Sequence, residues 1–303
     1  MSQISLTRLS NIGLLLLIAF LWASAFGAMK VAVSETGPIT LAALRSSIAA
    51  IVLLGVLRLQ GPLDWRIGWH YLPQFFVIGG LGTALPFMLI PWAELRIDSS
   101  LAGLLMSVGP LATLAGAWAF GLETDIPKSR IIGILIGLCG ALLMFADGFS
   151  AMGHANLIAQ FATVAAALCY ACGNLMVRQL SSVPPLTISA FAMTLCALIS
   201  WPLALFFEES DPQSYSQLAW QMILWLGLMP TAFAFSIRYI LIKRAGASFT
   251  SYVGYLIPGI ALIIGAVGLG EAISLEKIIA LLLIMIGLLS SQKPSPAKTA
   301  SNK

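Results

Sequence analysis

Two halves of this 303-residue chain repeat each other at an offset of 148 residues. Trp22 and Lys30 return as Tyr170 and Arg178, Thr83-Ala84 as Thr231-Ala232, Pro110 as Pro258 and Glu123 as Glu271. Each copy holds an odd number of apolar spans, and five spans per copy turn the second copy upside down in a bilayer. Inverted copies that meet near the midplane can build a site reachable alternately from either side, a plan shared by many secondary transporters. The expected fold is therefore all-α and integral to a membrane, with ten transmembrane helices in two inverted five-helix repeats. Residues 1–148 form the first repeat, 149–291 the second, and 292–303 a polar cytoplasmic tail.

Composition agrees with a membrane solvent. The chain is 59% hydrophobic and 9% charged, with a mean hydropathy of +0.95, whereas soluble domains are about 25% charged. A hydrocarbon core about 30 Å thick takes about 20 helical residues. Ten such segments can be laid out, at 12–33, 39–59, 72–93, 100–121, 129–147, 155–178, 185–208, 218–242, 249–270 and 275–291. Short connections rich in Pro and Gly, such as Gly37-Pro38, Gly61-Pro62 and Pro184-Pro185, suit turns between antiparallel neighbours. Arg8, the apolar run from Ile12 to Trp22 and Ala23-Ser24-Ala25 imitate a cleaved secretory signal. Cleavage there would strip the second copy's Tyr170 span of its partner, so the segment is expected to stay as the first helix.

Basic residues set an orientation, because Lys and Arg concentrate in short cytoplasmic loops. With the N-terminus inside, the cytoplasmic set is Arg8, Arg58, Arg66, Lys128, Arg130, Arg178, Lys243, Arg244, Lys293, Lys298 and Lys303. The outer set is Lys30, Arg96 and Lys277. Both termini are expected in the cytoplasm of a cell whose inner or plasma membrane holds the chain. Lys30 then lies near the outer end of its helix and Arg178 near the inner end of its own, as inversion demands. The net charge of +4 is scattered over helix ends and makes no nucleic-acid patch.

Helix breakers within lipid are tolerated only where protein or a watery cavity surrounds them. Pro86 and Pro91 interrupt the third span, Pro110 the fourth, Pro202 the seventh, Pro230 the eighth and Pro258 the ninth. The third and eighth spans, and the fourth and ninth, are repeat pairs, and matched breaks point to a central binding site. Tyr170 and Asn174, four residues apart, share a helix face, and Trp22 and Phe26 occupy the equivalent face of the first span. Thr231, Phe235 and Arg238 follow one stripe of the eighth span, and Tyr252 and Tyr255 place two phenols beside Pro258. The expected substrate-binding set is Trp22, Met106, Tyr170, Asn174, Thr231, Arg238, Tyr252 and Tyr255, suited to a small, partly apolar solute. Trp65, Trp69 and Tyr71 read instead as an interfacial belt.

Two arginines lie inside spans at a cost of about 2.5 kcal/mol or more near a helix centre. Arg238 has two readings, a cytoplasmic anchor beside Lys243 and Arg244 or a counter-ion for a substrate carboxylate. Arg45 is expected in a structural pairing with a loop or helix end, with substrate contact as the alternative. No Asp or Glu falls mid-span, since Glu94, Glu123, Asp147, Glu208 and Glu271 are terminal in this layout. A buried carboxylate relay is thus not expected. His70 and His154 fall in predicted loops. Cys139, Cys169, Cys172 and Cys196 lie in apolar stretches, and the Cys169-x-x-Cys172 pair sits mid-helix without the context of a redox motif. There is no metalloprotease, P-loop or nucleophile-elbow motif, so neither an enzyme nor an ATP-driven pump is expected, and no cofactor or metal.

Each half resembles an EamA repeat of the drug/metabolite transporter superfamily over residues 12–291. The first half carries LWASAFGAMKVA, PITLAALRSS, GTALPFMLIPWAELRIDSSLAGLLMSVGPL and FGLETDIPKSRIIGILIGLCGALL. The second carries PTAFAFSIRYILIKRAGASFTSYVGYLIPGIALIIG and GLGEAISLEKIIALLLIMIGLL. The resemblance implies ten helices, a cavity lined chiefly by the first, third, fourth, sixth, eighth and ninth, and usually outward transport of metabolites such as amino acids. Trp22, Arg45, Pro110, Glu123, Pro258 and Glu271 match recurrent family positions, most of them architectural. Arg238 departs from the family, which more often has an apolar or aromatic residue there, and Ala192 stands where a counterpart of Arg45 would be. The implied partners are a small-molecule substrate and the lipid bilayer, and the chain is expected to work as a monomer.

Overall fold

The computed structural model describes residues 3–121, 128–151, 153–245, 250 and 252–291. Glu123 and the tail beyond Ser291 lie outside the described residues. The described residues are helical, in the order α1 (Gln3–Thr36), α2 (Pro38–Gln60), α3 (Trp65–His70), α4 (Leu72–Glu94), α5 (Ser99–Ala119), α6 (Lys128–Ala151), α7 (Gly153–Val177), α8 (Pro185–Phe207), α9 from Gln217 to Ala245, α10 (Val253–Leu269) and α11 (Leu275–Ser291). Among them seven stretches are long and apolar enough to cross a membrane, and Ile131–Met144 and Val253–Leu269 are shorter apolar helices.

Local sequence explains where the helices begin and end. Gly37, at φ 77, makes the turn that lets Pro38 open α2, and Pro185 opens α8 in the same way. Proline suits a first turn because its missing N–H has no intrahelical acceptor there. Gly270, in the left-handed conformation, ends α10. Asp64 accepts from the Arg66 N–H and starts α3. That short helix replaces the expected loop between the second and third spans, and places His70 at a helix end rather than in coil.

The third and eighth spans are broken by π-helical turns. Phe76–Ala84 is the π segment of α4, and Gly227–Phe233 that of α9. In α9 Pro230 has no N–H to give to the Leu226 carbonyl four residues back. The Thr231 hydroxyl donates to that carbonyl instead, at 2.7 Å. Its repeat mate Thr83 donates to the Ile78 carbonyl, also at 2.7 Å. In α5 the break falls at Met106-Ser107, between Ser99–Leu105 and Val108–Ala119. Of the prolines expected to interrupt spans only Pro230 lies within a break, while Pro91, Pro202 and Pro258 sit inside continuous α-helix, and the threonine pair rather than a proline pair occupies the matching positions of α4 and α9.

Packing joins the two halves of the chain. The α1 helix packs on α9 and α10, as α7 packs on α4 and α5; α2 meets α8 and α9, α4 also meets α8, and α6 meets α11. Small residues allow the close approach, as is usual where lipid offers no hydrophobic drive between helices. A Cβ on Gly82 would lie 2.8 Å from the Cα of Gly173, so α4 and α7 touch backbone to backbone. Ala23, Phe26, Met29, Ile90, Leu104, Ile223, Leu226 and Ile284 form the main core. Leu205, Phe206, Val267 and Trp69 project outward, strongly exposed. So wide an apolar surface exceeds what a soluble monomer carries and fits lipid. The chain is an integral membrane protein.

Candidate functional site

A cavity of about 380 Å³ lies between the two halves. Its walls come from α1 (Trp22, Phe26, Met29), α2 (Arg45), α4 (Thr83, Phe87), α5 (Met106, Pro110), α7 (Tyr170, Asn174), α8 (Ala192, Met193), α9 (Phe235, Arg238) and α10 (Ile257, Pro258). The broken segments of α4, α5 and α9 all reach it. From mid-span residues the lining runs to Val177, Pro185 and Ser189. These lie at the end where α1 begins and α2 ends, since the Tyr71 and Ser182 hydroxyls meet there at 3.4 Å.

The lining does not extend to the opposite end, where polar groups cross between the halves. Glu208 accepts from the Ile39 N–H, the Thr40 N–H and the Thr40 hydroxyl, at 2.9, 2.7 and 2.8 Å. Glu271 accepts from the Ser99 and Ser100 N–H groups at 2.7 and 2.9 Å and from the Ser99 hydroxyl at 2.7 Å. Glu35 accepts from the Ser216 N–H at 2.6 Å and its hydroxyl at 2.7 Å. Each carboxylate sits at the N-terminus of a helix in the other half, where unsatisfied N–H groups and the helix dipole favour an anion. Lys277 adds an ion pair to Asp98 at 2.9 Å and donates to the Ser100 hydroxyl at 3.1 Å. For Glu271 burial acts to raise the pKa, but the hydrogen bonds from Ser100 and Ser99 outweigh it and hold the carboxyl below its ordinary value.

Glu94 ends its span, as expected, but is buried there. It is 0% exposed, and neither carboxyl oxygen has a hydrogen-bond partner. Being terminal in sequence does not mean being wet, because α1 packs across this helix end. Lys30 reaches it but donates to the backbone carbonyls of Glu94 and Ile97 rather than to the carboxyl.

Five of the eight expected residues line the cavity, namely Trp22, Met106, Tyr170, Asn174 and Arg238. The Trp22 indole N–H donates to the Pro230 carbonyl at 2.9 Å, so a carbonyl of the π turn fixes the ring. The Phe235 ring meets it edge-on at 5.9 Å, and the Arg238 guanidinium lies 5.8 Å from its centre. Thr231, Tyr252 and Tyr255 lie elsewhere. Thr231 is fully buried behind the wall, Tyr255 is buried with its hydroxyl donating to the Leu288 carbonyl of α11 at 2.8 Å, and Tyr252 is 44% exposed. The two tyrosine rings touch at 5.7 Å, as three-residue spacing suggests, but Tyr252 precedes the helix that was to present both.

Arg45 lies in the wall, which sequence left as the lesser alternative. It is 7% exposed; its Nε–H donates to the Thr231 hydroxyl at 2.9 Å, and one Nη reaches the Met29 sulfur at 3.4 Å. Its guanidinium lies 3.9 Å from the centre of the Phe87 ring. The absence of a nearby acid in sequence pointed to a loop or helix-end partner, but the partner is a threonine 186 residues away.

The profile of the EamA-like transporter family matches residues 9–146 and 157–291. An uncharacterized transporter of Archaeoglobus fulgidus is 28% identical over 88% of this chain and 93% of its own length. A probable terminal-alkyne amino-acid exporter of Streptantibioticus cattleyicolor is 27% identical over 85% and 84%, and a probable amino-acid metabolite efflux pump of Escherichia coli 25% identical over 91% and 92%. One solved crystal structure superposes with a TM-score of 0.64 over 94% of this chain and 97% of the other at 22% identity, a likeness of fold.

Proposed function

The chain belongs to the EamA-like transporter family, and from that premise we propose that it is an exporter of small metabolites that exposes its central cavity alternately to the two sides of the inner or plasma membrane. It is a transporter, not an enzyme. The observation that carries the proposal is the cavity between the halves, which reaches one end of the bundle while carboxylate caps close the other.

The finer reading is two inverted five-helix repeats, residues 1–148 and 149–291. Its support is the pairing pattern, in which exchanging the halves maps the packing of α1 on α9 and α10 onto that of α7 on α4 and α5, and that of α2 on α9 onto that of α8 on α4. The twin threonine bonds in the π turns of α4 and α9 add to it. Basic residues favour cytoplasmic termini by eleven to three, and the cavity then faces the cytoplasm, where an exporter loads. Trp22, Met106, Tyr170, Asn174 and Arg238 are proposed to contact substrate, joined by Arg45 and Phe87. Thr231 acts from behind through Arg45. A single chain contains the whole cavity, in keeping with a monomer.

Asn174→Cys, labelled in oriented vesicles with a membrane-impermeant thiol reagent in a background lacking the native cysteines, tests alternating access. Labelling from either side, slowed by substrate, is expected. A residue reachable from one side only, together with liposomes that move none of a broad metabolite panel, would favour a structural or sensory subunit.

A further inference from the structure

We infer that the cavity selects a small organic anion, a carboxylate with an apolar body and no free ammonium group. The inference rests on the transport reading above and names the substrate class of the same site. Among the described residues the lining contains two charged side chains, Arg45 and Arg238, and no Asp, Glu, Lys or His. Neither arginine has a carboxylate in ion-pair range among those residues. Arg45 is built in rather than stranded, since Thr231 holds Nε and Phe87 covers one face. A guanidinium carries five N–H donors. Thr231 and Met29 take two of them, leaving three without an acceptor among the described residues. A buried cation with unused donors is stabilised by a ligand carboxylate, which a planar guanidinium can bind through two parallel hydrogen bonds.

Arg238 repeats the theme at another depth. Arg45 lies seven residues from the start of α2 at the closed end, and Arg238 seven from the end of α9 at the open one. At 1.5 Å per residue each is about 10 Å inside its own end. An anion entering past Arg238 therefore meets a second cation further in. The lining also carries Trp22, Phe87 and Met106, with Ser107, Tyr170 and Asn174 among its neutral polar groups. Its rings and thioether suit an apolar body. It provides no anion for an ammonium group, and burying an unpaired ammonium is costly, so a zwitterionic amino acid is disfavoured against the acid lacking its amine.

The test is equilibrium binding to the purified full chain in detergent, with four probes of matched shape: 3-phenylpropanoate, 3-phenylpropanamide, 3-phenylpropylamine and phenylalanine. The acid is expected to bind at least tenfold more tightly than the other three. Arg45→Gln and Arg238→Gln are each expected to weaken acid binding at least tenfold and to leave the amide within twofold. Arg45→Lys guards against a folding defect, because it keeps the charge and is expected to keep the preference for the acid over the amine. Equal binding of the amine or the zwitterion, or acid binding unchanged in both Gln variants, would overturn the inference. Proteoliposomes that carry neutral or cationic solutes without preferring acids would overturn it while leaving the transport reading intact. Acid binding with Asn174→Cys accessible from one side only would do the reverse.

Discussion

Glu208 and Thr40 stand 168 residues apart in sequence, and the Glu208 carboxylate accepts both the backbone N–H and the hydroxyl of Thr40. Gly37, the residue before α2, has no side chain with which to cap the helix, and a Cβ there would come 2.8 Å from the Glu208 carboxyl. The cap therefore comes from the other half of the chain, and with Glu271 and Glu35 it ties the closed end together.

Glu208→Gln leaves one acceptor and turns an amide NH₂ toward N–H donors. A loss of about 1–2 kcal/mol is expected, the size of a lost helix cap. A lower thermal midpoint in detergent, and faster labelling of a cysteine placed at Thr36, check it. Unchanged labelling with a lowered midpoint would mean that Glu208 stabilises the fold without holding this end closed.

The Glu271 cap has a pH signature. Its carboxyl is held below the ordinary value in the folded chain, so the cap's contribution is complete above the unfolded value of about 4.3. It is lost as pH falls through the lowered folded value. The thermal midpoint is expected to drop on acidification below about pH 4.3, and less steeply in Glu271→Gln. Parallel curves for the two proteins would refute this assignment.

Tyr255→Phe removes the hydroxyl donated to the Leu288 carbonyl. The expected cost is about 1 kcal/mol of stability, with transport per folded molecule unchanged. A fall in transport at normal stability would put this phenol on the substrate path.

Gly82→Val forces a side chain into the contact between α4 and α7, where even a Cβ would lie 2.8 Å from the Cα of Gly173. Overpacking of this kind costs about 1–3 kcal/mol. Reduced yield of monodisperse protein reads it out, and Gly55→Val, whose Cβ position is open, is expected to behave like the parent.

Much of the helical plan was legible because length, apolarity and Pro or Gly punctuation are local signals. The stretches from Pro38 to Gln60, Leu72 to Glu94 and Pro185 to Phe207 fall within two residues of their expected bounds. Tyr170 with Asn174, and Trp22 with Phe26, share a face by spacing alone, and both pairs line the cavity. Tyr252 and Tyr255 follow the same spacing rule and are placed otherwise. Periodicity fixes which residues share a face but not whether that face meets a cavity, a neighbouring helix or lipid.

By itself the sequence determined a membrane solvent and carried a repeat of its own residues, since these follow from composition and from residues read along the chain. Tertiary structure alone decided that Arg45 is held by Thr231, that Glu94 is buried at a helix end, and that Glu208 and Glu271 cap helices of the other half. Each of these contacts joins residues distant in sequence or depends on a covering helix. Hydrogen bonds and burial act through space over a few ångströms, and which distant residues come that close is settled only when the two halves pack.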